Sequence, residues 1–294
     1  MFEYNALHIA PWGHELVIYF TLIGTVAMAY ILLSLPMLTN VGEDTIRPLE
    51  KPGYSLIMLG LIVCAGWLVF DLGQPQRFMN ILIYAHWTSP LVWGGFLLAL
   101  FGLCLTYMLY AVFIKHDDNM KRWAALVGSI VAVGFPLYTG ADLSANQGRA
   151  FWHAPMMSVY LTALSATSGV AAISVLAFLF GQSKNQKLFD MLWRITSWSL
   201  IVSIVCFGLL TVRLLYGNAE EMVVLAWINS EAWTTYWIVG LVVGLLIPMA
   251  LITRRSSFSH KPVVIALAGG LGFIGAYAIR EVIMLGGQMP QLYY

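Results

Sequence analysis

Acids, arginines and histidines are scarce in this 294-residue chain, and those that intrude on its apolar stretches gather at one end of them. His14 and Glu15 enter the first stretch, Asp71 ends the second, and Tyr138 and Asp142 end the fourth. Arg149, Trp152 and His153 precede the fifth, Arg213 closes the sixth, and Arg280 with Glu281 lies near the end of the eighth. Taken singly, each is compatible with an interfacial residue whose polar head reaches water past an apolar stem. Collectively they ask for more, because charges at the edge of hydrocarbon are costly and a plain interface is served by belts of Trp and Tyr. A pocket for a polar headgroup at a membrane surface would use this set. Its acids would exchange protons, and Arg or His would hydrogen-bond carbonyl oxygens.

The elements that must position these groups follow from composition. With 60% hydrophobic and 10% charged residues and a mean hydropathy of +0.80, the chain cannot wrap a soluble core in a wettable surface. A helix needs about 20 apolar residues to cross the hydrocarbon. Eight such spans are predicted, at about 15–38, 53–73, 89–114, 123–143, 154–181, 188–217, 232–252 and 262–285, with short polar or Pro/Gly-containing connections. The ten-residue alternation of a membrane barrel is absent, so the predicted fold is all-α, a single polytopic membrane domain. Loop cations are lopsided. Arg47, Lys51, Lys115, Lys121, Arg122, Lys184, Lys187, Arg254, Arg255 and Lys261 lie on one side, against Arg77 and Arg149 on the other. The positive-inside rule makes the first set cytoplasmic and puts both termini and the charged cluster on the outer, periplasmic face of a bacterial inner membrane. Residues 1–14 read as a short periplasmic segment without a cleaved signal peptide.

Several chemistries are not written here. Cys64, Cys104 and Cys206 lie singly in apolar runs and lack the spacing of a metal or cluster ligand set. No histidine falls in the middle of a span, where a transmembrane haem would take its axial ligands. Phosphate loops, nucleotide fingerprints and basic nucleic-acid patches are also missing.

Asp71-Leu72-Gly73-Gln74-Pro75-Gln76-Arg77-Phe78 resembles the Asp-Leu-Gly-x-Pro-x-Arg-Phe element of the NrfD/PsrC family, the polysulfide reductase membrane subunits. Pro136-Leu137-Tyr138-Thr139-Gly140 through Phe151-Trp152-His153-Ala154-Pro155 is similar to that family's crossing between two spans, and Ala163 to Gly169 to the small-residue run that follows. The resemblance implies a haem-free subunit of two four-helix bundles that binds a quinone, menaquinone or ubiquinone, near the outer face. It implies docking to a periplasmic four-cluster iron-sulfur subunit and, through that, to a molybdopterin catalytic subunit. Such a chain is no catalyst alone; it is the quinol-reactive part of an oxidoreductase complex, expected to oxidise quinol. A protein with no redox centre of its own joins an electron chain only by holding a diffusible carrier, and acids at the headgroup then manage two protons.

By matching position, Tyr138 is the expected partner of a quinone oxygen, with His14 opposite and Arg213 as a second anchor. Asp71 and Asp142 are expected to relay protons, with Glu15 and Glu281 in lesser roles. Arg77 is assigned to pairing with Asp71 or to supporting the pocket, and Arg149, Trp152, His153 and Arg280 to partner docking or pocket support. No acid, Lys or Arg is placed at the midplane of any span, so only hydroxyls such as Ser129, Ser165, Ser168 and Ser174 would line a transverse path, and no proton pumping is expected. Two alternatives stay open. One is an inert membrane anchor; the other is a secondary transporter whose spans are interrupted at Pro136 and Pro248.

Overall fold

The computed structural model describes residues 12–39, 43–71, 79–253 and 260–289. These form α1 (His14–Thr39), α2 (Glu43–Asp71), the single turn α3 (Asn80–Ile83), α4 (Pro90–Tyr110), α5 (Asp118–Ser144), α6 (Met156–Leu179), α7 (Gln186–Tyr216), α8 (Ala219–Ser230), α9 (Ile247–Thr253) and α10 (Pro262–Gly286). A π-helical turn, Ala111–Lys115, extends α4, and a π-helical run, Thr234–Leu246, leads into α9. No strand occurs among the described residues, and eight helical segments are long and apolar enough to cross a membrane. In hydrocarbon every backbone N–H and C=O must be satisfied inside the segment, and continuous helices achieve this.

The helices fall into two sets of four. α1, α2, α4 and α5 form the first; α6, α7, the π-helical run with α9, and α10 form the second. α1 and α6 are the most buried and carry the seam: α1 packs on α5 and α6, and α6 packs on α10. Close approach is made possible by missing side chains. A Cβ on Gly140 of α5 would collide with the Ser158 backbone of α6, and one on Gly244 would collide with Gly275 of α10. Gly240 and Gly244, four residues apart on one helix, give the small-residue stripe by which membrane helices pack backbone to backbone.

The helices alternate in direction, so His14, Asp71, Pro90, Ser144, Met156, Tyr216, Thr234 and Gly286 mark one face of the molecule, called here the near face; the opposite end is the far face. Three features depart from the sequence reading. α2 begins at Glu43 rather than near residue 53, because its opening turns, with Pro48 and Pro52 inside them, continue as helix beyond the apolar run. The segment after Gly217 is not a plain loop. Asn218 caps α8, its side chain accepting from Glu221 N at 3.0 Å while Glu221 accepts from Asn218 N at 2.9 Å, a complete capping box. Finally, α5 runs unbroken through Pro136, whereas Pro248 sits at the change from π to α geometry.

Candidate functional site

Two clusters occupy the near face, one in each set of helices. In the first set, Tyr138 and Asp142 lie four residues apart on the last turns of α5 and therefore share a face. Tyr138 is 8% exposed and its ring and hydroxyl lie against Gly94 of α4, where a Cβ would overlap them. The Asp142 carboxylate is within electrostatic reach of both Tyr138 and the buried Tyr19 of α1. Among the described residues, neither the Tyr138 hydroxyl nor the Asp142 carboxylate has a hydrogen-bond or ion-pair partner. The neighbouring Thr139 is satisfied, donating to Pro136 O at 3.0 Å. A buried phenol that can donate, beside a carboxyl that can take or give a proton, is a pair suited to a carbonyl-bearing ligand. Asp71 closes α2, but its side chain, like Arg77, lies outside the described residues.

His14 stands apart from this pair. Its Nδ1 is 3.0 Å from Glu281 Oε1, which joins the start of α1 to α10, and at 62% exposure it faces outward. Glu15 is exposed beside it in the first turn.

The second cluster is densely bonded. Arg213 Nη2 is 2.6 Å from Glu221 Oε1 and donates to Ala150 O at 2.7 Å, while Glu220 accepts from Ala150 N at 3.2 Å. Arg149 donates to Gly287 O at 3.0 Å and stands 5.7 Å over the Trp152 ring. Trp152 is fully buried, donates to Ile283 O at 2.7 Å and stacks on Trp12 at 5.2 Å. His153 is exposed, its ring bonded to Ser144 O at 2.7 Å. These bonds staple the connection between α5 and α6 onto α7, α8 and α10. The structure thus engages Arg213 with Glu221 and the Ala150 carbonyl, and does not bring it to Tyr138 through any recorded contact; its Nη1 is buried without a partner among the described residues.

Arg280 corrects an expectation. The sequence places its Cα near the helix end, yet helical side chains lean toward their own N-terminus, here toward the far face. Its Nη2 donates to Ser165 Oγ at 2.8 Å, its Nη1 to Ala276 O at 3.4 Å, and Nη2 also borders Gly24. Ser165 lies nine residues, roughly 14 Å, inside α6. The side chain is 1% exposed and meets no carboxylate among the described residues, so a cation does sit deep between the two helix sets and faces no partner surface. Sequence reasoning also passed over Tyr19, Gly94 and Glu221. Only Glu221 carried a local signal, the Asn-x-x-Glu of its cap.

No group of three or more His, Cys, Asp or Glu positioned to hold a metal ion occurs among the described residues. Fold and site together define a polytopic helical membrane protein with a phenol and a carboxyl, unpaired among the described residues, at one end of its first helix set. The chain belongs to the NrfD family: the profile described as "Polysulphide reductase, NrfD" matches residues 2–290. A polysulfide reductase component of Wolinella succinogenes is 24% identical over 242 residues, 75% of this chain and 76% of that one. A tetrathionate reductase subunit of Salmonella typhimurium is 28% identical over 178 residues, 59% and 50% of the two chains. A selenate reductase subunit of Mesobacillus selenatarsenatis is 20% identical over 322 residues, 94% and 74%. The aligned part spans from 46% to 76% of the curated relatives it matches.

Proposed function

We propose that this chain is the quinone-reactive membrane subunit of a respiratory oxidoreductase, passing electrons from membrane quinol to an iron-sulfur subunit docked at the near face and onward to a molybdenum-containing reductase. The near face is then periplasmic, as the loop cations favour. One observation carries the reading: the Tyr138 hydroxyl and the Asp142 carboxyl are both without partners among the described residues, side by side at the membrane edge, on a chain related to reductase subunits. Tyr138 holds a quinone oxygen by donating its hydroxyl. Asp142, half-buried on the next turn toward water, accepts the proton released as quinol is oxidised and passes it outward. The quinone supplies the two-electron chemistry; menaquinone and ubiquinone both present the carbonyl that this pair addresses. His14 with Glu281, and Glu15 beside them, form the polar rim. Arg213, Arg149, Trp152 and His153 shape the neighbouring surface to which the partner subunit binds.

The unbroken course of α5 through Pro136 opposes a transporter. An inert anchor is separated by experiment. Membranes containing the intact complex are assayed for quinol-driven and for dye-driven substrate reduction, with Asp142→Asn compared to wild type at matched expression. Quinol-driven turnover is expected to fall about tenfold or more, short of the roughly 10²-fold of a fully committed proton-transfer group because water can substitute, while dye-driven turnover is retained. Equal quinol-driven turnover in the two would reduce the chain to an anchor.

A further inference from the structure

On the far face, remote from the tyrosine pair, three elements line a cavity of about 510 Å³ that is open to the surface. Arg47, Glu50 and Lys51 reach it from the opening turns of α2, His116 from the end of the π turn after α4, and Asp118 and Lys121 from the start of α5. His116 holds a left-handed backbone, φ 53°, which turns the chain from that π turn into α5. The floor is an ion pair. Lys121 Nζ lies 3.2 Å from Glu50 Oε2 and 3.4 Å from Asp118 Oδ1, with the Lys121 and Glu50 side chains at 10% and 8% exposure. Arg47 Nη2 is 4.0 Å from Asp118 Oδ2.

Both carboxylates of the cavity are therefore engaged by its own cations. Lys51 and His116 are not: neither meets a carboxylate among the described residues, and the Lys51 ammonium instead stands 5.5 Å over the Phe113 ring. The groups left to offer are donors. Beside them Phe113 and Ile114 are 45% and 66% exposed on a membrane-spanning segment, an apolar surface next to a cationic one. A ligand suited to both carries a negative head and hydrocarbon chains.

The geometry points to this cavity as a binding site for the phosphate of an anionic phospholipid in the far-face leaflet, with Lys51 and His116 as its donors and the chains along Phe113 and Ile114. Soluble phosphate esters share the head chemistry but lack the chains. A cavity of this volume exceeds what a single small ion needs, given about 30 Å³ for one water, and has room for a glycerophosphate head.

The test uses the intact complex, delipidated in detergent and re-equilibrated with phosphatidylglycerol or phosphatidylcholine of identical chains, with bound lipid counted by mass spectrometry. Phosphatidylglycerol is expected to be retained in preference, and the exposed substitution Lys51→Gln to weaken its retention about fivefold, the scale of one basic side chain at an anionic membrane surface. Lys51→Arg should keep it. Equal retention of the two lipids, or no change in Lys51→Gln, overturns the site. Displacement of the lipid by an equal concentration of glycerol phosphate overturns the lipid assignment and leaves a soluble phosphate ester as occupant.

Discussion

Replacing Tyr138 by Phe removes a single oxygen and nothing else from the near-face cluster. The hydroxyl has no partner among the described residues, so its loss leaves no buried group stranded, and the melting temperature is expected to stay level or rise slightly. Function should move the other way. A neutral hydrogen bond is worth about 0.5–1.5 kcal/mol net, which converts to roughly a two- to twelvefold loss in kcat/KM for quinol. The assay is quinol-driven reduction by the intact complex, normalised to dye-driven turnover of the same preparation. Gly94→Ala is the companion, because its Cβ would occupy the space held by the Tyr138 ring. It should reproduce the loss with the hydroxyl still present but displaced. Unchanged kcat/KM in Tyr138→Phe would refute the argument that an unpaired phenol here is kept for a ligand.

Glu221→Gln keeps an oxygen for the Asn218 cap but removes the charge facing Arg213; a loss of about 1.5–3 kcal/mol is expected, read as a lower melting temperature. Gly275→Val drives a side chain into the Gly244 backbone, and overpacking of about 1–3 kcal/mol should appear as reduced membrane abundance. Arg280→Met deletes a buried cation that meets no carboxylate among the described residues; stability no lower than wild type is expected, since the desolvation penalty of a buried charge is removed with it. A clear fall in its melting temperature would mean that the guanidinium is compensated by an anion.

The eight spans were legible because an apolar run of the right length has one fold open to it in hydrocarbon. Tyr138 and Asp142 of the candidate site stand out in the sequence as polar residues at the edge of such a run, and the fold places them on one face of α5. What escaped depends on third dimensions that spacing does not encode. Tyr19 and Gly94 belong to other helices and join the site only through packing of α1 and α4 on α5. Arg280 was placed by its Cα, whereas its surroundings follow from where a long side chain leans. Arg213 looked like a free anchor at a helix end until the fold supplied Glu221, whose helix was hidden behind a short polar stretch read as a connection. The start of α2 is hidden in the sequence because Pro48, Pro52 and the charges around them resemble the punctuation of a loop, yet they continue as helix.

The guanidinium of Arg280 sets an electrical condition on the whole assembly. α6 carries hydroxyls, among them Ser165, Ser168 and Thr167, the last bonded to Ser203 of α7 within the second set, which a hydrated proton would otherwise use as stepping stones. A fixed positive charge at that level repels a cation about 4 Å away by about 4 kcal/mol at an effective dielectric of about 20, roughly a thousandfold reduction in its occupancy. Under the proposed function, a proton released at the near face would therefore meet a barrier of that size on any route past Arg280 toward the far face.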